Sequence, residues 1–157
     1  MSEASSHFAD RLCAAVEAKA APICVGLDPV FEKLPKMLRD TGQGDALGAI
    51  EAFCDGVIWA ASEHAAAVKL QMACFERYGG AGVDLFFKVV KEAKQNNLLV
   101  IADAKRGDIG TSSAHYGSAF FQVDHRQRSD ALTVHRYLGV DGMHLGVGPA
   151  DGLDGTD

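Results

Sequence analysis

The chain has 157 residues, 48% hydrophobic and 23% charged, which is the composition of one globular domain with enough apolar surface for a core. A formal charge of −6 excludes a general nucleic-acid binder, which needs a basic face. No apolar run approaches the roughly 20 residues that cross a membrane, and Met1 to Asp10 carries Glu3 and Asp10 where a signal peptide is basic and then apolar, so the expected location is cytoplasmic.

Two kinds of segment alternate along the chain. Phe8, Leu12, Ala15, Val16 and Lys19 recur at helical spacing, with Ser5 or Ser6 as the expected N-cap. Pro22 stops that helix, and Ile23–Leu27 reads as a short buried strand ending at Asp28-Pro29. A helical turn is expected over Phe31–Leu38 and a loop over Thr41–Gly44. Asp45 then opens a long helix whose Leu47, Ile50, Phe53, Val57 and Ile58 return with a period near 3.6.

Ala66–Gln71 is the second expected strand. The Tyr78–Gly82 loop introduces a third helix with Leu85, Phe86, Val89, Val90 and Ala93 on its inner side, ended by Asn96-Asn97. Leu98–Ala102 is a continuous apolar run, as in a strand covered on both faces. Thr111 or Ser112 is expected to cap a helix running to about Gln127, and Ala131–Val134 is the fourth strand. From about residue 144 the chain is glycine-rich and is expected to be irregular.

Strands joined by helix-length connections imply a parallel sheet, so the fold class is α/β. A leading helix and βα spacing of about 30–45 residues suit a (β/α)8 TIM-type barrel. Residues 1–157 supply about the first four of its βα units, an incomplete barrel domain. Polar residues cluster where the strands end, at Asp28, Lys69, Asp103 with Lys105 and Asp108, and His135 with Arg136. In parallel α/β folds active sites lie at that end.

The run Asp103-Ala104-Lys105-Arg106-Gly107-Asp108 carries the most chemistry. Strand side chains alternate with period two, so Asp103 and Lys105 share a side. Asp108 follows past a flexible Gly107, which makes Lys105 a lysine flanked by two carboxylates. Opposite charges nearby favour the ammonium form, so Lys105 is expected to be held in place and able to give a proton to a carbon. A solvated charge cluster is the competing reading. The same holds for Lys69, whose stem can pack while its head reaches water, and for Asp28, since Asp-Pro commonly starts a turn. Convergence of all three strand ends on one mouth favours function.

These residues resemble orotidine 5′-phosphate decarboxylase, in particular its long bacterial variety. The likeness rests on Val25-Gly26-Leu27-Asp28-Pro29, Val68-Lys69, Phe75-Glu76-Arg77-Tyr78-Gly79, Asp103 to Gly110, and Asp130-Ala131-Leu132-Thr133-Val134 with Tyr137-Leu138-Gly139-Val140-Asp141. It spans about residues 8 to 143. The resemblance implies cofactor-free loss of CO₂ from orotidine 5′-phosphate to give UMP, in a homodimer. It assigns Lys105 as proton donor to C6 and Asp103 as the group beside the departing carboxylate. Asp108 completes the network and reaches the ribose across the dimer interface. Asp28 and Lys69 hold ribose hydroxyls, and Ile109, Thr111 and Ser112 bind substrate, the two hydroxyl residues from the neighbouring subunit.

This chain departs from the family pattern with His135-Arg136 in place of Asn-Pro, and with Thr111-Ser112 where Ser-Thr is commoner. The family's later strands, with their base-contacting Ser and phosphate-gripping Gln and Arg loops, have no counterpart in residues 1–157, so this chain alone is expected to be inactive. A truncated remnant is therefore one alternative. A magnesium-dependent sugar-phosphate lyase of the same barrel superfamily is another, disfavoured by Arg106-Gly107 and Ile109-Gly110. A Schiff-base aldolase needs a lysine with a depressed pKa, and flanking carboxylates act in the opposite sense. The scattered Cys13, Cys24, Cys54 and Cys74 read as reduced thiols. Six histidines without metal-ligand spacing give no reason to expect a metal.

Overall fold

The structure, a computed structural model, describes residues 7–41, 45–122 and 127–139. Its sheet has four strands, β1 (Cys24–Leu27), β2 (Ala67–Gln71), β3 (Leu99–Arg106) and β4 (Ala131–Val134), in the order β1-β2-β3-β4. Every neighbouring pair is parallel. Each crossover therefore steps one strand further the same way, which is the winding of a barrel and differs from doubly wound sheets, where the order reverses. The fold is α/β with the architecture of about the first half of a (β/α)8 barrel.

Helix α1 (Phe8–Lys19) precedes β1. Its N-cap is His7, whose Nδ1 accepts from the Ala9 N–H at 3.3 Å. The expected caps Ser5 and Ser6 lie outside the described residues. Ala20, in a left-handed conformation, ends the helix before Pro22. A 3₁₀ turn (Phe31–Lys33) and α2 (Lys36–Thr41) replace the single helical turn expected over Phe31–Leu38. Asp45 caps α3 (Ala46–Ala61) as anticipated, accepting from the Leu47 N–H at 3.1 Å. Helix α3 buries Ala49, Ile50, Cys54, Ile58 and Ala61, with Leu47, Phe53 and Val57 packed beside them.

Three expectations are corrected here. Of the loop expected over Tyr78–Gly82 only Tyr78 lies outside a helix, because the turn at Arg77-Tyr78 joins α4 (Ala73–Glu76) to α5 (Gly79–Gln95). Glycine is needed at position 82 for packing, since a Cβ there would lie 2.0 Å from the Phe75 carbonyl oxygen of α4. Strand β3 does not stop at Ala102 but runs through Asp103 and Lys105 to Arg106. Helix α6 (Gly110–Phe121) begins ahead of Thr111 and Ser112, which lie in its first turn, and its N-cap is Ile109 with no side-chain cap bond. It ends at Phe121 where the periodicity predicts about Gln127.

Helices α3 and α5 pack on each other and on one face of the sheet. Val68, Leu70, Val100 and Ala102 point toward them and are fully buried. Leu85, Phe86, Val89, Val90 and Ala93 of α5 are buried as the periodicity predicts. Phe86 sits edge-on to Phe75, Phe87 and Phe120 at ring-centroid distances of 5.5, 5.4 and 6.2 Å, joining α4, α5 and α6. Cys54 lies fully buried in this core, and desolvation pushes its thiol pKa up to about 12. The four cysteines are free thiols. The glycine-rich stretch from about residue 144 lies outside the described residues.

Candidate active site

Parallel pairing turns single residues into rows across the sheet. The register places Lys69 beside Gly26 and Ile101, and Gln71 beside Asp103. Alternation puts Lys69, Gln71, Ile101 and Asp103 on the face away from the helices, which is the interior of a barrel. One step past the end of β1, Asp28 continues the same row, and Thr133 of β4 closes it.

Asp103 is the centre of this row. Its Oδ1 accepts from Lys105 Nζ at 2.6 Å and from the Thr133 hydroxyl at 2.8 Å. Its Oδ2 accepts from Lys69 Nζ at 2.8 Å and from Gln71 Nε2 at 3.2 Å. Four donors on two oxygens use the full acceptor capacity of a carboxylate. The hydrogen bonds from Lys105 and then Lys69 hold the Asp103 carboxyl far below the usual carboxylate range, against the opposing effect of burial. Lys69 also lies 3.7 Å from Asp28 Oδ1. Its pKa is raised, first by the hydrogen bond to Asp103 and further by the charge of Asp28.

Lys105 owes its place to an irregularity in the backbone. The segment from Ala102 to Arg106 on β3 faces only Leu132 to Val134 on β4, so β3 bulges there. Within the bulge Lys105 has φ 49°, a left-handed conformation costing a non-glycine residue about 1–2 kcal/mol. Its N–H leaves the ladder and donates to Thr133 Oγ1 at 3.0 Å, the same hydroxyl that donates to Asp103. Bulges of this sort re-aim side chains and are concentrated near active sites. The Lys105 side chain is 54% exposed while Asp103 is 9% exposed. An anchored ammonium thus faces the open mouth with donors to spare.

The structure brings together Asp28, Lys69, Asp103 and Lys105. It does not bring Asp108 to Lys105, for no ion pair joins them among the described residues; the Asp108 carboxylate accepts from the Ile109 N–H at 2.8 Å instead. The expected lysine between two carboxylates is a carboxylate between two lysines. Ile109, Thr111 and Ser112 are exposed. Gln71 and Thr133 escaped the sequence reading as site residues, because uncharged side chains in apolar strands give no local signal. Their positions on the face shared with Lys69 and Asp103 could have found them.

A metal would need acidic groups free to converge on it. Among the described residues no group of three or more His, Cys, Asp or Glu side chains is placed to hold one, and Lys69 occupies the space between Asp28 and Asp103 that a bridging cation would take. No described helix is long and apolar enough to cross a membrane.

Comparison with known proteins agrees with the fold. Residues 21–152 match the family model of the orotidine 5′-phosphate decarboxylase / HUMPS family. The chain is 40% identical over 140 residues to orotidine 5′-phosphate decarboxylase of Streptomyces coelicolor, covering 89% of this chain and 49% of that protein. It is likewise 40% identical over 144 residues to the enzyme of the same name from Rhodopirellula baltica, covering 87% and 48%. A crystal structure from Streptomyces avermitilis, described as a "putative orotidine 5′-phosphate decarboxylase", superposes with a TM-score of 0.79 at 41% identity, over 93% of this chain and 50% of that one. The OMP decarboxylase of Leishmania donovani superposes with a TM-score of 0.70 at 27% identity, over 89% and 48%. The chain spans about half the length of the curated relatives it matches. It belongs to the orotidine 5′-phosphate decarboxylase / HUMPS family.

Proposed function

We propose that the enzyme containing this chain converts orotidine 5′-phosphate to UMP and CO₂ without a metal or organic cofactor, and that this chain supplies the reacting-centre side of the site. The observation that carries the reading is the saturated Asp103 carboxylate, with one lysine on each oxygen, at the mouth of the sheet. In the proposed reaction the bond from C6 to the carboxylate breaks and its electron pair stays at C6. The Lys105 ammonium, already in place, stabilises that charge as it develops and then transfers a proton to C6. The neutral amine regains its proton from solvent.

Asp103 orients Lys105 and lies beside the departing carboxylate. Lys69 and Asp28, 3.7 Å apart at the rim, take the ribose hydroxyls. Asp108, half-buried, and the exposed Ile109, Thr111 and Ser112 lie past the bulge, which suits a role in binding substrate from a second subunit of a homodimer. The names of the relatives at about 40% identity favour this substrate over a sugar phosphate.

The test joins this chain to the remaining half of the Streptomyces coelicolor relative and measures UMP formation in excess EDTA. Turnover that survives chelation is expected; none, or turnover abolished by the chelator, would sink the reading. Residues 1–157 by themselves are expected to form no UMP. Phosphate sites of barrels commonly come from loops after strands seven and eight, and binding energy from such remote groups supports the chemical step as well as affinity.

A further inference from the structure

The strained conformation of Lys105 requires surroundings that over-determine it, and the residue that follows supplies them. Arg106 points to the opposite side of β3 from the site. Its guanidinium forms an ion pair with Glu76 of α4. The same group lies 5.5 Å from the ring centre of Tyr116 and 5.9 Å from that of Phe120, both on α6. Its main chain is held too, since the Arg106 carbonyl accepts from the His135 N–H at 2.7 Å. Gly107 then passes so close to His135 that a Cβ on it would lie 2.8 Å from the His135 Cβ. The end of the bulge is thus gripped from α4, from α6 and from the segment after β4.

Stability alone gives poor grounds for this grip. The Glu76 carboxylate is 39% exposed, and ion pairs of that exposure contribute little. The Arg106 Nε is buried without a hydrogen-bond partner, which is a cost. A methionine could fill the same space between aromatic rings with neither feature. An arginine fork held by Glu76 fixes instead where β3 ends and how Lys105 is turned.

We propose that Glu76 and Arg106 form a positioning pair that sets the backbone of Lys105 and so keeps its ammonium on Asp103. The role in turnover rests on the decarboxylase reading above; the role in geometry does not. Two measurements on this chain joined to the remaining half of the Streptomyces coelicolor relative separate them. In the first, the side-chain NH₃⁺ resonance of Lys105 is followed in ¹⁵N-labelled protein. Glu76→Gln and Arg106→Met are expected to shift or broaden it toward the signals of solvated lysines, and an unchanged resonance would overturn the proposal whether or not the protein is active.

The second measures steady-state turnover of orotidine 5′-phosphate. Glu76→Gln is expected to lower kcat about 10-fold and Arg106→Met about 100-fold, with KM changed less than about threefold, because small misplacements of a reacting group act on the chemical step. In a Lys105→Ala background Glu76→Gln is expected to lower the residual kcat no further, since its effect passes through Lys105. An equal fall in both backgrounds, or none in the first, would overturn the proposal. Glu76→Gln alters a half-exposed side chain and keeps its shape, so it tests the pair even if Arg106→Met fails to fold. A wild-type protein without turnover would count against the decarboxylase reading and leave the resonance to decide the geometry.

Discussion

Two carboxylates of this molecule, Asp103 and Asp130, are each held by two cations, at opposite ends of the same sheet. Asp130 sits just before β4, at the N-terminal floor. It accepts from Arg11 of α1 at 2.5 Å, from Lys94 of α5 at 3.1 Å and from the Val100 N–H of β3 at 2.8 Å. Its side chain is 3% exposed, and its partners come from three separate elements. Asp103 draws its lysines from its own strand and the next, leaves Lys105 half in solvent, and spends backbone strain to aim it. The same pairing therefore ties the structure together at the floor and presents a half-exposed ammonium at the mouth. That division agrees with barrels in general, where the floor carries stability and the mouth carries chemistry.

The largest expected effect is on Lys105. In the chimaera with the Streptomyces coelicolor relative, Lys105→Ala is expected to lower kcat by about 100-fold to 10,000-fold, the range for a lost general acid, with a much smaller change in KM. A loss lying almost wholly in KM would move Lys105 from proton donor to binding group and blur the contrast with the floor.

At the floor the expected effect is on folding. Lys94→Met leaves Asp130 buried beside Arg11 alone, and is expected to cost about 2 kcal/mol, less than a fully buried pair because Lys94 and Arg11 are partly exposed. Denaturant unfolding measures it, and kcat is expected to stay within about twofold. A kcat that fell with stability unchanged would show that the floor is coupled to the chemistry.

A smaller effect isolates the strain at the mouth. Lys105→Gly and Lys105→Ala both remove the ammonium, but only glycine accepts φ 49° without cost. The glycine variant is expected to be the more stable by about 1 kcal/mol, with both equally inactive. Equal stabilities would mean that the bulge relaxes once the lysine is gone.

The smallest effect is a pH dependence. The Asp103 carboxyl is depressed in the folded state, so its stabilisation is complete above about pH 4, the ordinary carboxylate value. It is lost as pH falls from there toward the depressed native value. Asp103→Asn is expected to flatten the stability curve below about pH 4 and to leave its shape at neutral pH alone. An unaltered acid limb would mean that other carboxylates dominate acid unfolding.

Much of this arrangement was legible in the sequence, and the misses share a cause. The four strands and the faces of α3 and α5 follow from apolar periodicity, because burial itself imposes the period. The apolar run of β3 ends at Ala102, so periodicity alone gives a short strand, yet the strand continues to Arg106 where polar groups satisfy one another. Proximity along the chain pairs Asp108 with Lys105, whereas past the bulge at Lys105 its carboxylate accepts from the Ile109 N–H instead. Alternation within β2 puts Gln71 on the face of Lys69, but that Gln71 and Thr133 both meet Asp103 becomes visible only through sheet pairing. Gly82 looked like a loop residue and is a contact, because a glycine needed for close approach has the same letter as one needed for a turn.

The division between mouth and floor is tested most directly by making Asp103→Asn and Asp130→Asn in the chimaera with the Streptomyces coelicolor relative and measuring kcat and Tm for both. Asp103→Asn is expected to lower kcat by about 100-fold or more while Tm moves by only a few degrees. Asp130→Asn is expected to lower Tm by about 5 °C or more and leave kcat nearly unchanged. Two variants that lost activity and stability in the same proportion would contradict the account.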